Sequence, residues 1–557
     1  MLTRVRRIEV PFLLAGLTTA ALLVVMLYYP VASVFAEAVF VDGRLTLDPI
    51  REIVTDPFYW GLFRFTAYQA VLSTLLSLGL GLPGAYVLAR YEFAGRRTLR
   101  SLTLVPFVLP SIMVAVGFAA MFGTNGPLNR ALDAAGLPTI ELMFTLQIIV
   151  LAHAFYNAPL VVRIVAAAWE GVDARVVETA RSLGASPRRA FLDVVVPQLL
   201  PAVLTSALLV FIFTFMSFPI VLALGGLQLA TVEVWLYDRI TSLRLQEAAA
   251  LAVLEAAITL ALTYVYLRYE SQQAATRMVA PRARERLFAA LDVERVLIGV
   301  YGLVIAVVFV GPIVSMLLAS VTGVDGGLTT RYYEFLLARR DVVVGTQPDV
   351  AIRNSLVFAV GTLALAVPMG IVIALATARD TLSARLVGTL AMLPFAVSGI
   401  VVGLGLLQTV VFGVDVFGYR IQVTGAVAVV AAHAVGAYPF VVRAITPVLG
   451  ALDPRMVESA RALGASRTRA LLDIELPLLA PAVAAGAAFA FAISVGEFNS
   501  TVVLAEGGDA YTMPVAVERY LADRTLGPAT AMGSVLLVVT SVSFVVIERL
   551  GAYGGIE

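Results

Sequence analysis

Long apolar runs separated by short polar intervals set the pattern of this chain. Twelve runs can be marked: 11–35, 61–89, 101–122, 144–168, 197–223, 247–267, 294–320, 354–378, 386–411, 423–447, 477–503 and 527–547. A helix rising 1.5 Å per residue needs roughly 20 such residues to cross about 30 Å of hydrocarbon. Lipid offers no partner to an unpaired backbone N–H or C=O, so the runs predict a bundle of helices. The expected fold class is an all-α integral membrane protein of about twelve transmembrane helices. The first run follows Arg4, Arg6 and Arg7, as a signal core would, but it is longer than a signal core and reads as a retained anchor.

The polar intervals carry an orientation. With the N-terminus in the cytoplasm, twelve spans leave 26 of the 39 arginines on the cytoplasmic side and 13 outside. Basic residues near span ends favour the cytoplasm, so this threading is expected, with both termini cytoplasmic in a cell membrane. The first outer interval fits, because Glu37, Asp42, Asp48, Glu52 and Asp56 outnumber Arg44 and Arg51. The Arg-rich stretch from Arg268 to Arg295 becomes a cytoplasmic linker.

The pattern also repeats. Residues 173–201 (DARVVETARSLGASPRRAFLDVVVPQLLP) and 453–481 (DPRMVESARALGASRTRALLDIELPLLAP) are identical at 17 of 29 positions. The match continues backwards, AHAFYNAPLVVR at 152–163 against AHAVGAYPFVVR at 432–443, and VPFVLPSIMVAVG at 105–117 against LPFAVSGIVVGLG at 393–405. Six spans separate the copies, so both face the same way. A parallel repeat implies a pseudo-twofold axis along the membrane normal, with a pathway between the halves.

Composition sharpens the picture by exclusion. The chain is 60% hydrophobic and 14% charged, against about 25% charged in soluble domains. With no cysteine there is no disulfide, thiolate nucleophile or zinc-thiolate site. All 39 basic residues are arginine. A Walker phosphate loop places a lysine against the phosphates, so this chain is not expected to be a P-loop ATPase. Lysine Schiff-base chemistry is excluded on the same ground.

The best-matched repeat segment is a polar loop between spans four and five of each half. Lipid-facing helices need only be apolar, so close matching in a solvated loop suggests that both copies touch the same kind of partner. Val176 to Arg181 reads as a short amphipathic helix with Glu178 near its start, where the helix dipole favours an acid. Gly184 can end it at positive φ, and Ser186 can cap the next helix. Ala180 and Gly184 are small enough to let another surface approach. The second copy places Glu458, Ala460, Gly464 and Ser466 in the same roles. A plain duplicated helix connector is the competing reading.

The stretches E-T-A-R-S-L-G-A-S with Val196-Pro197, and E-S-A-R-A-L-G-A-S with Leu476-Pro477, resemble the signature of ABC importer permeases: E-x-x-A, a Gly several residues on, then a hydrophobic-Pro pair. The resemblance covers roughly 61–267 and 350–547. It departs at Arg181 and Arg461, where the family has a second Ala. It implies two parallel repeats of a type I importer permease fold. The loops become coupling helices for two ATP-binding-cassette ATPase subunits, through Glu178, Ala180, Gly184, Glu458, Ala460 and Gly464. ATP and Mg are then used by the partner ATPase and not by this chain. An extracytoplasmic substrate-binding protein is the further implied partner; no nucleic acid is. The expected organisation is an N-terminal anchor helix and outer loop (1–60), a first permease domain (61–267), a linker (268–293), a linking helix and outer loop (294–349), a second permease domain (350–547) and a cytoplasmic tail (548–557).

Candidate substrate residues lie at the end of span eleven. Glu497 sits inside an apolar run, where an ionisable residue suggests function. Asn499, Ser494 and Ser500 add polarity. Ser217 occupies the place of Glu497 in the other copy, so the halves differ there. Phe211, Phe215 and Phe218 follow helical spacing and could line a path, lipid or core packing being the bland reading. His153 and His433 are the chain's two histidines and are repeat equivalents. A hydrogen bond within each half is expected for them, and no metal site. The chain resembles fused two-domain permeases for iron(III), thiamine, polyamine and phosphonate. LAHAFYNAPLVVR and SFPIVLALGGLQLATVEVWLY are most similar to the thiamine type, which ranks thiamine or its phosphates first and ferric iron second. An ion-coupled secondary transporter is the rival class, with Glu497 as proton site, but such a carrier has no need of the duplicated loop. No paired intramembrane carboxylates are apparent, which counts against a membrane enzyme.

Overall fold

The structure, a computed structural model, describes residues 10–41, 43–103, 109–271, 284–289, 292–337, 347–378, 381–416, 418–423, 425–505 and 510–553. Most of the Arg-rich linker and the first nine residues, with Arg4, Arg6 and Arg7, lie outside the described residues. So do parts of the matched stretch at 105–117 and of the 294–349 segment.

Eleven helices among the described residues are long and apolar enough to cross a membrane. In the first half these are α1 (Val10–Val39), α2 (Pro57–Arg90), α3 (within Ser111–Ala134), α4 (Leu146–Glu170), then, after the short α5 (Ala174–Ser182), α6 (Pro187–Phe215). Two short helices, α7 (Pro219–Gly225) and α8 (Val232–Thr241), precede α9 (Leu245–Ser271). The second half runs α10 (Val293–Ser320), α11 (Pro348–Thr377), α12 (Leu382–Ala391), α13 (Gly399–Val411), α14 (Ala426–Ala451), α15 (Pro454–Ala462) and α16 (Arg467–Gly496). It closes with α17 (Asn499–Leu504), α18 (Met513–Ala522) and α19 (Leu526–Tyr553).

Ten of the twelve apolar runs coincide with one of these helices; the run 101–122 does so only from Ser111, its first residues ending a separate helix, Arg96–Leu102, and 386–411 is a pair bent by 94° between Leu382–Phe395 and Gly399–Val411. Ser398 starts the second arm by accepting from the Val401 N–H. A second pair, Pro219–Leu229 with Val232–Thr241, bends by 79° and was not expected from the runs. Spans five and eleven end sooner than their apolarity suggests, at Phe215 and Gly496. Pro219 instead opens the next short helix, at a first-turn position where its missing N–H leaves no hydrogen bond unmade.

The first helix of each half packs on the other half. α1 crosses α13, where Gly405 lies so close to the backbone of Pro30 that an added Cβ would meet its carbonyl oxygen at 2.5 Å. α10 crosses α3 in the same manner, Gly117 lying against Pro312, whose oxygen would be 2.9 Å from a Cβ. Within each half the α2–α4 and α11–α14 crossings are matched as well. Gly81 faces Val161 and Gly370 faces Val441, at 2.6 Å and 2.5 Å from a would-be Cβ to the valine Cβ or Cγ1. Each contact recurs at its repeat position, so the sequence repeat is a structural one.

Candidate functional site

The two loops fold alike to the level of single hydrogen bonds. Asp173 and Asp453 cap α5 and α15, each accepting from the backbone N–H two residues on at 2.9 Å. The capping acid is therefore Asp173, not Glu178: the helix begins at Ala174, and Glu178 sits in its middle, exposed. Gly184 and Gly464 both adopt φ +93°, a conformation glycine takes without a Cβ penalty. The N–H after each glycine returns to Ala180 or Ala460 at 3.0 Å, a Schellman closure. Ser186 and Ser466 then cap the following turns, accepting from Arg189 and Arg469 at 3.3 and 3.1 Å.

Neither α5 nor α15 has a buried residue. Glu178, Gly184, Glu458 and Gly464 are exposed, and Ala180 and Ala460 half-buried. Beside the glycines, at the ends of α5 and α15, Leu183 and Leu463 stand 83% and 90% exposed, and Val176 and Met456 on the helices themselves are exposed as well. In each copy the fixed turn holds a large apolar side chain out from the surface. Sequence reading missed both leucines, although they stand inside the matched motif.

The second constellation lies where the halves meet. Phe218 and Phe498, repeat equivalents 280 positions apart, stack on one another with ring centres 5.5 Å apart and planes 21° apart. Both are buried, so the two halves meet there through a closed aromatic pair. Phe218 does not continue the Phe211–Phe215 face, because α6 ends at Phe215; Phe215 is buried and stacks on Phe211.

Glu497 is likewise not inside a helix. It occupies the extended break after α16, and its carboxylate accepts from the N–H groups of Ser500 at 2.9 Å and Thr501 at 3.0 Å and from the Thr501 hydroxyl at 2.5 Å. His433 Nε2 lies 3.4 Å from the same carboxylate and 2.7 Å from Thr501 Oγ1, while Nδ1 meets Ser494 at 2.8 Å. In the first half, His153 Nε2 meets Ser217 at 2.8 Å, and Nδ1 meets Ser73 at 3.3 Å. Each histidine thus bonds within its own half, tying the end of α6 or α16 to α4 or α14. Asn499 is half-buried on α17 and packs on Gly399, where a Cβ would lie 2.7 Å from its own. No group of three or more potential metal ligands occurs among the described residues.

One pair corrects the sequence reading outright. Glu233 on α8 and Glu255 on α9 are paired intramembrane carboxylates, each 1% exposed. The Glu233 carboxyl faces that of Glu255 and, across the half–half boundary, the Ser398 side chain. Among the described residues, no hydrogen bond of good geometry reaches any of the four oxygens.

A family profile described as "Binding-protein-dependent transport system inner membrane component" matches residues 81–271 and again 366–552. The chain belongs to this family. Its two matched segments each contain one exposed loop, so the permease carries two such loops in one polypeptide. Among curated relatives, the thiamine transport system permease protein ThiP of Brucella abortus (strain 2308) is 29% identical over 513 residues, covering 89% of both chains. The ThiP of Escherichia coli (strain K12) is 27% identical over 503 residues, covering 89% of the permease and 90% of its own length. The molybdenum transport system permease protein ModB of Azotobacter vinelandii is 33% identical over 192 residues, 34% of the permease and 84% of ModB. A solved bacterial ABC transporter involved in the import of the acidic polysaccharide alginate matches 47% of the permease and 94% of its own chain at 15% identity, with a TM-score of 0.40.

Proposed function

We propose that this permease passes thiamine, or a thiamine phosphate, from an extracytoplasmic binding protein into the cytoplasm, driven by two separate ATPase subunits. The observation that carries the ATP-driven reading is the pair of identically capped helices α5 and α15, neither with a buried residue, with Leu183 and Leu463 projecting from their ends. Glu178, Ala180 and Gly184, with Glu458, Ala460 and Gly464, frame each knob for a groove in one ATPase subunit. Both loops, and both termini, then face the cytoplasm. The domains are read as 61–267 and 350–547, joined through 268–349.

The mechanism follows from linkage. ATP closes the two ATPase subunits on each other and draws α5 and α15 together. ATP shifts the permease only through its preference for one arrangement of the halves. The Phe218–Phe498 stack, lying where the halves meet, must separate for cargo to pass. Asn499, Ser217 and Phe215 flank that stack, and Glu497 holds the break beside it. Thiamine is favoured over ferric iron because the relatives described above that span both halves are thiamine permeases, whereas the molybdenum relative covers one half.

Isothermal titration of the cognate binding protein tests the cargo. Thiamine or its phosphates should bind and ferric iron should not; binding of iron alone would replace thiamine and leave the permease role standing.

A further inference from the structure

We infer that Glu233 and Glu255 form a cation subsite between the two halves, which takes the positively charged ring of the cargo as the aromatic stack opens; this rests on the thiamine reading for the identity of the ring. Glu255 lies ten residues into α9, about 15 Å along its axis, half the depth of the hydrocarbon. Two carboxyls buried face to face at that depth, with no hydrogen bond of good geometry to any of their oxygens among the described residues, are costly unless a proton or a cation joins them.

The repeat shows that the fold does not need them. Counted from the matched N-cap threonines Thr231 and Thr512, Glu233 corresponds to Pro514. Counted from the helix starts Leu245 and Leu526, Glu255 corresponds to Leu536. The second half thus builds the same helix pair with an apolar pair that is fully buried. An asymmetric pair of acids in a symmetric frame suits an asymmetric cargo.

The surroundings specify the kind of cation. Tyr237 lies one turn beyond Glu233 on α8, and its ring sits 5.2 Å from that of Phe218, which stacks on Phe498. A flat cationic heteroaromatic would find ring faces and carboxylates side by side, charge against charge and face against face. Glu497 cannot serve this purpose, because its carboxylate is already bonded to α17 and faces His433.

The test uses the full permease, purified and reconstituted with its ATPase subunits and binding protein. E233Q, E255Q and the double variant should lower thiamine uptake by about tenfold or more, as loss of a buried charge partner does. Glu255→Leu, which copies the second half, should keep the wild-type elution profile and lose uptake all the same. A second measurement does not depend on uptake. Thiamine should raise the unfolding temperature of the wild-type permease, as any ligand of the folded state does, and should fail to raise that of E233Q/E255Q. If sodium, potassium or magnesium, but not thiamine, gives the shift that E233Q/E255Q loses, the subsite stands and the thiamine reading falls. If none of these cations distinguishes wild type from the double variant, and uptake is unaltered, the subsite does not exist.

Discussion

Gly184 and Gly464 hold φ +93° with nothing within 4 Å of a would-be Cβ, so space is not the obstacle to substitution there; backbone conformation is. Valine at either position should cost about 1–2 kcal/mol locally and unwind the turn that projects the neighbouring leucine. G184V and G464V together should abolish co-purification of the ATPase subunits, and each alone should weaken it. Leu183→Asp with Leu463→Asp should have the same effect without touching the backbone. Intact co-purification by both pairs would show that the loops are mere connectors. Glu497 calls for a different expectation from the one its sequence context suggests. Glu497→Gln keeps one acceptor but turns an amide toward a hydroxyl and N–H groups that need acceptors. It should lower stability by about 1–3 kcal/mol, seen as a lower unfolding temperature in detergent. An acid within an apolar run marks Glu497 as unusual in the sequence, but the break that turns it into a cap depends on how α16 and α17 pack. The Glu233–Glu255 pairing was hidden for a similar reason. The two lie 22 positions apart across a bent segment, and nothing in the local pattern shows that α8 folds back on α9.

At the scale of elements, apolar run length and the repeat made most of the bundle legible, because hydrocarbon thickness dictates span length. The bends were not legible, because apolarity reports what a residue is next to and not which way the chain turns. The early ends of spans five and eleven meet proline or glycine only in hindsight: Pro219 begins the arm after α6, and Gly496 precedes the break after α16. The crossings of α1 and α10 were not legible either, since an apolar helix is compatible with either half. Those crossings predict that G117L and G405L, driving a side chain against the Pro312 and Pro30 backbones, should each displace one first helix. The natural chain has no cysteine, so paired cysteines introduced across α1 and α13 would report the displacement as lost crosslinking on a clean background. Undiminished crosslinking in G405L would mean that α1 can shift sideways without leaving α13.

For the whole molecule, the proposed division of labour predicts that the purified chain alone hydrolyses no ATP. Accumulation of cargo by that chain with only an ion gradient would favour a secondary carrier instead. The exchange of first helices also bears on how such a molecule is made. Pro30 leaves the ribosome 375 positions ahead of Gly405, the residue it packs against. At roughly 5–20 residues per second, α1 waits on the order of half a minute in the bilayer for its partner. Insertion of the first half therefore precedes its maturation, and a truncated product ending at the linker carries an orphan helix. Expressed as separate fragments, residues 1–291 and 292–557 should each be cleared by membrane proteases. Produced together in one cell they should rescue each other, so that quality control reads completion of the second half as the signal that the first has been finished.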